Sequence, residues 1–226
     1  MLHSPVHMFE RIGQGLYSFS EAARLAEVKA PTLRAWFFGR RDRRDPILAP
    51  DYAAVQGSYA ISFLDLIDAR IAASLKGNGL STQKVRRLYA ELQDLLSEHH
   101  PFAREELFHD GTNIWLRAVG KMGEERYLEI LKRQHGIPAV VKPFLKRLTY
   151  DGRTSLASEW QIAKGVAVNP EFCFGKPATH RSRRPTRLLA AAYAANDRDE
   201  SSVAVWYGVD PQEVLDAVEF EAKLAA

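Results

Sequence analysis

Arg34, Arg40, Arg41, Arg43 and Arg44 fall within eleven positions, with Asp42 the one acid among them. Guanidinium groups at this density suit duplex phosphates, and a single arginine on a presented helix can bridge the two acceptors of a guanine. Thr32, two residues before Arg34, can meet a phosphate or a thymine methyl. A second basic set, Lys176, Arg181, Arg183, Arg184 and Arg187, contains no acid. Catalytic chemistry is poorly represented. His99-His100, His109, His135 and His180 have no partner at metal-ligand spacing and read as surface or helix-end residues. Asp65 and Asp68 stand at i, i+3 and, beside Arg70, read as a solvated face. No Gly-rich phosphate loop, serine elbow or convincing carboxylate pair occurs, so neither an enzyme nor a cofactor protein is expected.

The elements that must position the first basic set are legible. Ser18 or Ser20 can cap a helix whose Ala22, Leu25 and Ala26 share one face. Glu27-Val28-Lys29-Ala30 breaks the periodicity. Pro31 opens a second helix with Leu33, Trp36 and Phe37 turned inward, leaving Thr32, Arg34 and Ala35 outside. The outer edge of such a second helix is what helix-turn-helix proteins present to the major groove. On spacing alone an ordinary helical hairpin with a solvated outer face, followed by a solvated arginine loop, fits as well.

Tyr17, Ser18 with Glu21-Ala22-Ala23, and Thr32-Leu33-Arg34-Ala35-Trp36 resemble the N-terminal winged helix-turn-helix of MerR-type regulators, over roughly residues 16 to 95. The resemblance implies a wing after Gly39, where the arginine cluster lies. It makes Ser20, Thr32, Arg34, Arg40, Arg41, Arg43 and Arg44 the expected DNA-contacting set. Metal and drug sensors of that type often use cysteines, and Cys173 is alone here and far downstream, which disfavours a thiol-based metal sensor.

The net charge of +3 and pI near 9.0 matter less than their distribution. Residues 188–226 carry eight acids against Arg198 and Lys223. No apolar run approaches the ~20 residues that span a bilayer. The N-terminus does not read as a secretion signal, and one cysteine fits a reducing compartment, so a cytoplasmic protein without membrane partners is expected.

Beyond the head, a loop with Pro46 and Pro50 runs to about Gly57. Ser62-Phe63-Leu64-Asp65 opens a helix that Gly77-Asn78-Gly79 ends. Ser81 opens another through about Glu98 on a Val85, Leu88, Leu92, Leu95, Leu96 stripe. This pair either dimerises or covers the helix-turn-helix. Leu107 to Leu116 reads as a hairpin about Asp110-Gly111. Helices are expected over Tyr127 to Arg133 and Val140 to Leu148, and a second hairpin about Asp151-Gly152 joins Leu148-Thr149-Tyr150 to Trp160-Gln161-Ile162. After a strand at Val166-Ala167-Val168 come three short helices: Pro185 to Ala195 with Leu188, Leu189, Ala192 and Tyr193 as core, one about Val203, Ala204 and Trp206, and one from Asp210-Pro211-Gln212-Glu213 with Val214, Leu215, Val218 and Leu224 inward. The fold class is therefore mainly α with a small α+β middle: a winged helix-turn-helix with supporting helices over 1–100, an α+β connector or dimerisation region over 101–165, and a three-helix unit over 166–226.

The last sixty residues carry Asn169-Pro170, Gly175-Lys176-Pro177, Arg184-Pro185-Thr186 and Val214-Leu215-Asp216-Ala217-Val218-Glu219-Phe220. They look like the small domain of unknown function that accompanies VapB-type antitoxins encoded beside PIN-like toxins. His180-Arg181-Ser182-Arg183 replaces the glycine usual in that loop. Together the two resemblances imply an antitoxin of a type II toxin-antitoxin system, dimeric on operator DNA, which represses its own operon and neutralises a PIN-like ribonuclease. Lys176, Arg181, Arg183, Arg184 and Arg187 are the candidates for entering the toxin's metal-binding carboxylates. The alternative for this basic loop is a second DNA contact, and for the whole chain a stand-alone MerR-like regulator responding to a small molecule.

Overall fold

A computed structural model describes residues 15–39, 46–52, 60–109, 111–121 and 136–225. They form a mostly helical fold with one small antiparallel sheet. Contacts divide the chain into a unit of Tyr17–Ala157 and a unit built chiefly from Ser158–Ala226.

The first unit begins with α1 (Phe19–Leu25) and α2 (Ala30–Phe38). Ser18 caps α1 in a reciprocal box: its hydroxyl accepts from the Glu21 N–H while the Glu21 carboxylate accepts from Ser18 N–H. Ala22, Ala23, Leu25 and Ala26 are buried, and the small alanines let α2 approach closely. Tyr17 and Ile61 exchange both backbone hydrogen bonds at 2.9 Å, closing the unit behind α1. Then come α3 (Phe63–Gly77), α4 (Thr82–Leu96), a 3-10 turn at Pro101–Ala103, α5 (Glu106–His109), α6 (Gly111–Lys121) and α7 (Gly136–Leu145). Around α3 nine residues are buried, from Phe63 to Leu75, so this helix runs through the core.

The expected hairpin over Leu107 to Leu116 is instead α5 and α6. Ile114, Trp115, Ala118 and Val119 lie on one helical face and are all buried, a period that a strand pair would split between two sides. The expected helix from Val140 ends at Leu145, and Leu148 already belongs to a strand. The reading of Tyr127 to Arg133 lies outside the described residues.

The strands β1 (Leu148–Tyr150), β2 (Ala157–Ala163), β3 (Val166–Val168) and β4 (Ala178–Thr179) follow one another across the sheet in sequence order. The Asp151 turn between β1 and β2 is held by its carboxylate, which accepts from the Arg153 and Thr154 N–H groups. Three helices complete the second unit: α8 (Thr186–Ala195), α9 (Glu200–Tyr207) and α10 (Pro211–Ala225). Asp199 caps α9 and Gly208 ends it in the left-handed region, φ 63°. Leu189, Val203, Ala204, Val214 and Ala217 make the core, with Ala192, Tyr193, Tyr207 and Val209 packed against it. Two residues expected to point inward lie outside that core, Leu188 at 43% and Leu215 at 38% exposed, and Trp206 of α9 is 63% exposed. Each helix turns one stripe inward, and Leu189, Val203 and Val214 lie on it.

Candidate nucleic-acid interface

The second helix of the pair is fixed from beneath. Leu33, Trp36 and Phe37 on α2 are each at most 4% exposed, and burial of side chains of this size contributes about 1.5–3 kcal/mol each. At its end the Trp36 carbonyl accepts from Ile47 N at 2.7 Å and Leu48 N at 3.0 Å. In the turn before α2, Glu27 takes the left-handed conformation, φ 58°, and its carboxylate binds Arg70 of α3 at 2.9 Å. The pair is thereby clamped to the core from both ends.

On the outer side, Arg34 is exposed, Thr32 half-buried and Ser20 exposed. The Arg34 guanidinium lies 5.9 Å from the Phe19 ring centroid and 6.0 Å from that of Phe38. Two aromatic faces, one from each helix, thus hold the cation at the surface of the pair. Arg40, Arg41, Arg43 and Arg44, the expected wing contacts, lie outside the described residues.

The second basic set belongs to the other unit and is not uniform. Arg181, Arg184 and Arg187 are exposed. Lys176 is half-buried and its ammonium donates to the Leu16 carbonyl at 3.0 Å. Arg183 is committed to its own unit, with a nitrogen 2.7 Å from Glu159 of β2 and the guanidinium 4.1 Å from the Phe172 ring centroid. The loop around it is tied down: Ser182 donates from N–H and hydroxyl to the Glu213 carboxylate at 3.0 and 2.6 Å, and Cys173 Sγ donates to the Arg183 carbonyl at 3.2 Å. Arg183 has φ 57°, the backbone state a glycine would take most readily.

A polar cluster in the first unit went unread in the sequence. Asp65 and Asp68, expected on a solvated face, are 0% and 1% exposed, and His100, expected at the surface or a helix end, is 3% exposed. His100 Nδ1 is 2.9 Å from Asp68 Oδ2, and its Nε2 is 2.9 Å from Asp51 Oδ1. The Tyr89 hydroxyl donates to Asp68 Oδ2 at 2.7 Å. Burial alone would depress the His100 pKa; the bonds and charges of Asp51 and Asp68 outweigh it and hold the ring at about 10. Burial pushes Asp65 up to about 7, although its Oδ2 accepts from the backbone N–H groups of Ser62 and Asp51. The signal that was there to read is the company of these acids: Leu66, Ile67, Ala69, Ile71 and Ala72 leave α3 too few polar positions for a solvated side.

No helix among the described residues is long and apolar enough to cross a membrane. No protein-family model matches the chain, and no curated protein matches it. Among solved structures the chain is similar to the X-ray crystal structure of Rv2018 from Mycobacterium tuberculosis, with a TM-score of 0.70 over 89% of this chain and 96% of that one. At 20% sequence identity this likeness speaks for the fold alone.

Proposed function

We propose that the protein is a DNA-binding antitoxin: the α1–α2 head reads operator DNA and represses its own operon, and the C-terminal unit engages a PIN-like ribonuclease toxin. The observation that carries the DNA reading is the presentation of Arg34, exposed and flanked by Phe19 and Phe38, on a helix whose opposite face is wholly buried. A rigid helix with its cation outward suits base-edge contact. The toxin reading rests on the sequence resemblance of the last sixty residues, and the exposed Arg181, Arg184 and Arg187 are its contact residues. Arg183 leaves that set because its guanidinium is already paired with Glu159. A head of this kind reads a half-site, so the DNA-bound species is a dimer.

Gel shifts on DNA from upstream of its gene, with salt varied, test the head. Log affinity falls linearly with log salt if phosphates are contacted, and salt-independent or absent binding overturns the reading. Co-expression with the neighbouring open reading frame tests the other half. Replacing Arg181, Arg184 and Arg187 together by Ala relieves inhibition of the nuclease; unchanged inhibition removes these residues from the interface.

A further inference from the structure

Asp51, His99 and His100 each offer one ligand atom, and the three atoms lie within 4.8 Å of one another. Asp51 Oδ1 stands 2.9 Å from His100 Nε2 and 3.8 Å from His99 Nε2. Metal–ligand bonds of about 2.0–2.1 Å in a tetrahedral site put neighbouring donor atoms roughly 3.3 Å apart, between the two observed spacings. Side-chain rotation that closes the His99–His100 spacing, at most 4.8 Å, brings all three onto one ion.

The surroundings are those of a ligand set with its support already built. His100 Nδ1 faces the buried Asp68 carboxylate at 2.9 Å, which fixes the ring orientation and points Nε2 at Asp51. Asp68 is itself oriented by the Tyr89 hydroxyl at 2.7 Å. A carboxylate behind an imidazole, with the other ring nitrogen forward, is how metal-binding histidines are held. With Nδ1–H given to Asp68, Nε2 and the Asp51 oxygen are two acceptors at 2.9 Å, a contact held only by a cation between them, a proton or a metal ion. The His99 backbone is pinned where its carbonyl accepts from Gln93 Nε2 at 2.9 Å. The Asp51 backbone N–H donates to Asp65 Oδ2 at 3.3 Å. Access is open, since the side chains of His99 and Asp51 are 48% and 27% exposed.

We infer that Asp51, His99 and His100 form a binding site for a divalent transition-metal ion of the zinc class, with water completing the coordination on the solvent side. Two imidazoles and one carboxylate favour such an ion over magnesium or calcium, which take oxygen ligands. Bound there, the ion cross-links the segment following α2 to the turn after α4, two stretches 48 residues apart in sequence. The inference does not depend on DNA or toxin binding.

The test uses full-length, tag-free protein stripped with chelator and titrated calorimetrically with Zn²⁺, and separately with Co²⁺ followed by visible absorption. The expected result is a single saturable equivalent and a Co²⁺ spectrum of tetrahedral intensity. His99→Ala, at an exposed side chain, weakens Zn²⁺ at least about tenfold, and Asp68→Asn weakens it about 10–100-fold by loosening the His100 ring. His109→Ala, an exposed histidine paired with Glu105 on α5, leaves binding unchanged. Circular dichroism checks each fold, and if Asp68→Asn fails to fold, the His99→Ala comparison decides alone. Absence of saturable Zn²⁺ binding, or equal affinity of His99→Ala and the unsubstituted protein, overturns the site. So does a loss in His109→Ala as large as in His99→Ala.

Discussion

Arg183 donates to Glu159 Oε2 at 2.7 Å, and that contact ties the basic loop to β2. Glu159 is buried, 7% exposed, and also meets Asn169 at 3.1 Å and His180 at 3.2 Å. Phe172 beneath the guanidinium completes the clamp. The sequence groups five basic residues together, whereas the fold separates a structural arginine from the exposed Arg181, Arg184 and Arg187.

Arg183→Ala is therefore expected to lower stability rather than remove only a surface charge. Hydrogen bonds to charged groups contribute about 1.5–3 kcal/mol, but Arg183 is over a third exposed and solvent screens it, so a loss of about 1–2 kcal/mol is expected. Urea unfolding measures it. An unchanged midpoint would mean that Asn169 and His180 hold Glu159 unaided.

The same pair sets an acid limb. Burial alone would raise the Glu159 pKa, but Asn169, Arg183 and His180 outweigh it and hold the carboxyl below the ordinary range. A depressed carboxyl contributes fully above its unfolded value of ~4.3 and loses that contribution as pH falls through the lower folded value. Stability should drop below about pH 4, and more shallowly in Glu159→Gln, which starts from a lower plateau. Denaturant midpoints between neutral pH and pH 3 compare the two slopes.

Arg34→Ala should cost about 1–3 kcal/mol of operator discrimination if the guanidinium reads a base edge. The melting temperature should barely move, because Leu33, Trp36 and Phe37 hold α2 from its other side. Binding isotherms on specific and scrambled duplexes separate lost recognition from lost phosphate contact, since the latter weakens both equally.

Ser62→Ala tests the start of the core helix. The Ser62 hydroxyl, 1% exposed, accepts from Asp65 N–H at 3.0 Å while Asp65 Oδ2 accepts from Ser62 N–H at 3.0 Å. Removing the hydroxyl strands a buried N–H, with an expected loss of about 1–2 kcal/mol. Thermal unfolding reads it, with the exposed cap Ser81→Ala of α4 as the milder comparison.

Gly165→Ala should disrupt the C-terminal unit. Gly165 sits at φ 66°, where an L side chain costs about 1–2 kcal/mol, and an added Cβ would run into the Asp216 carboxylate of α10. The double variant Gly165→Ala, Asp216→Ala should recover the steric part and leave the backbone part. Equal stability of the single and double variants would show that Asp216 simply moves aside.

Local signals reported local structure well. Ser62 with Asp65 and Asp210-Pro211-Gln212-Glu213 before α10 bring a capping side chain beside the backbone groups it satisfies, and of the two candidates Ser18 and Ser20 it is Ser18, with Glu21, that caps α1, so these helix starts could be read within a residue or two. The Asp-Gly dipeptide did not behave the same way twice. Asp151-Gly152 joins two strands because Leu148 and Trp160 have sheet partners to meet, whereas the chain from Gly111 coils into α6 because Trp115 and Val119 share a helical face.

By itself the amino-acid order determined what neighbours in the chain can decide: the caps and stops, the inward stripe of Leu33, Trp36 and Phe37, and the outward place of Arg34. Which charges are buried was decided only by the tertiary structure. Asp68 and His100 are 32 positions apart, and Arg183 and Glu159 are 24 apart. A charged side chain is buried where a partner from elsewhere in the chain offsets its desolvation, and that partner exists only once the chain has folded.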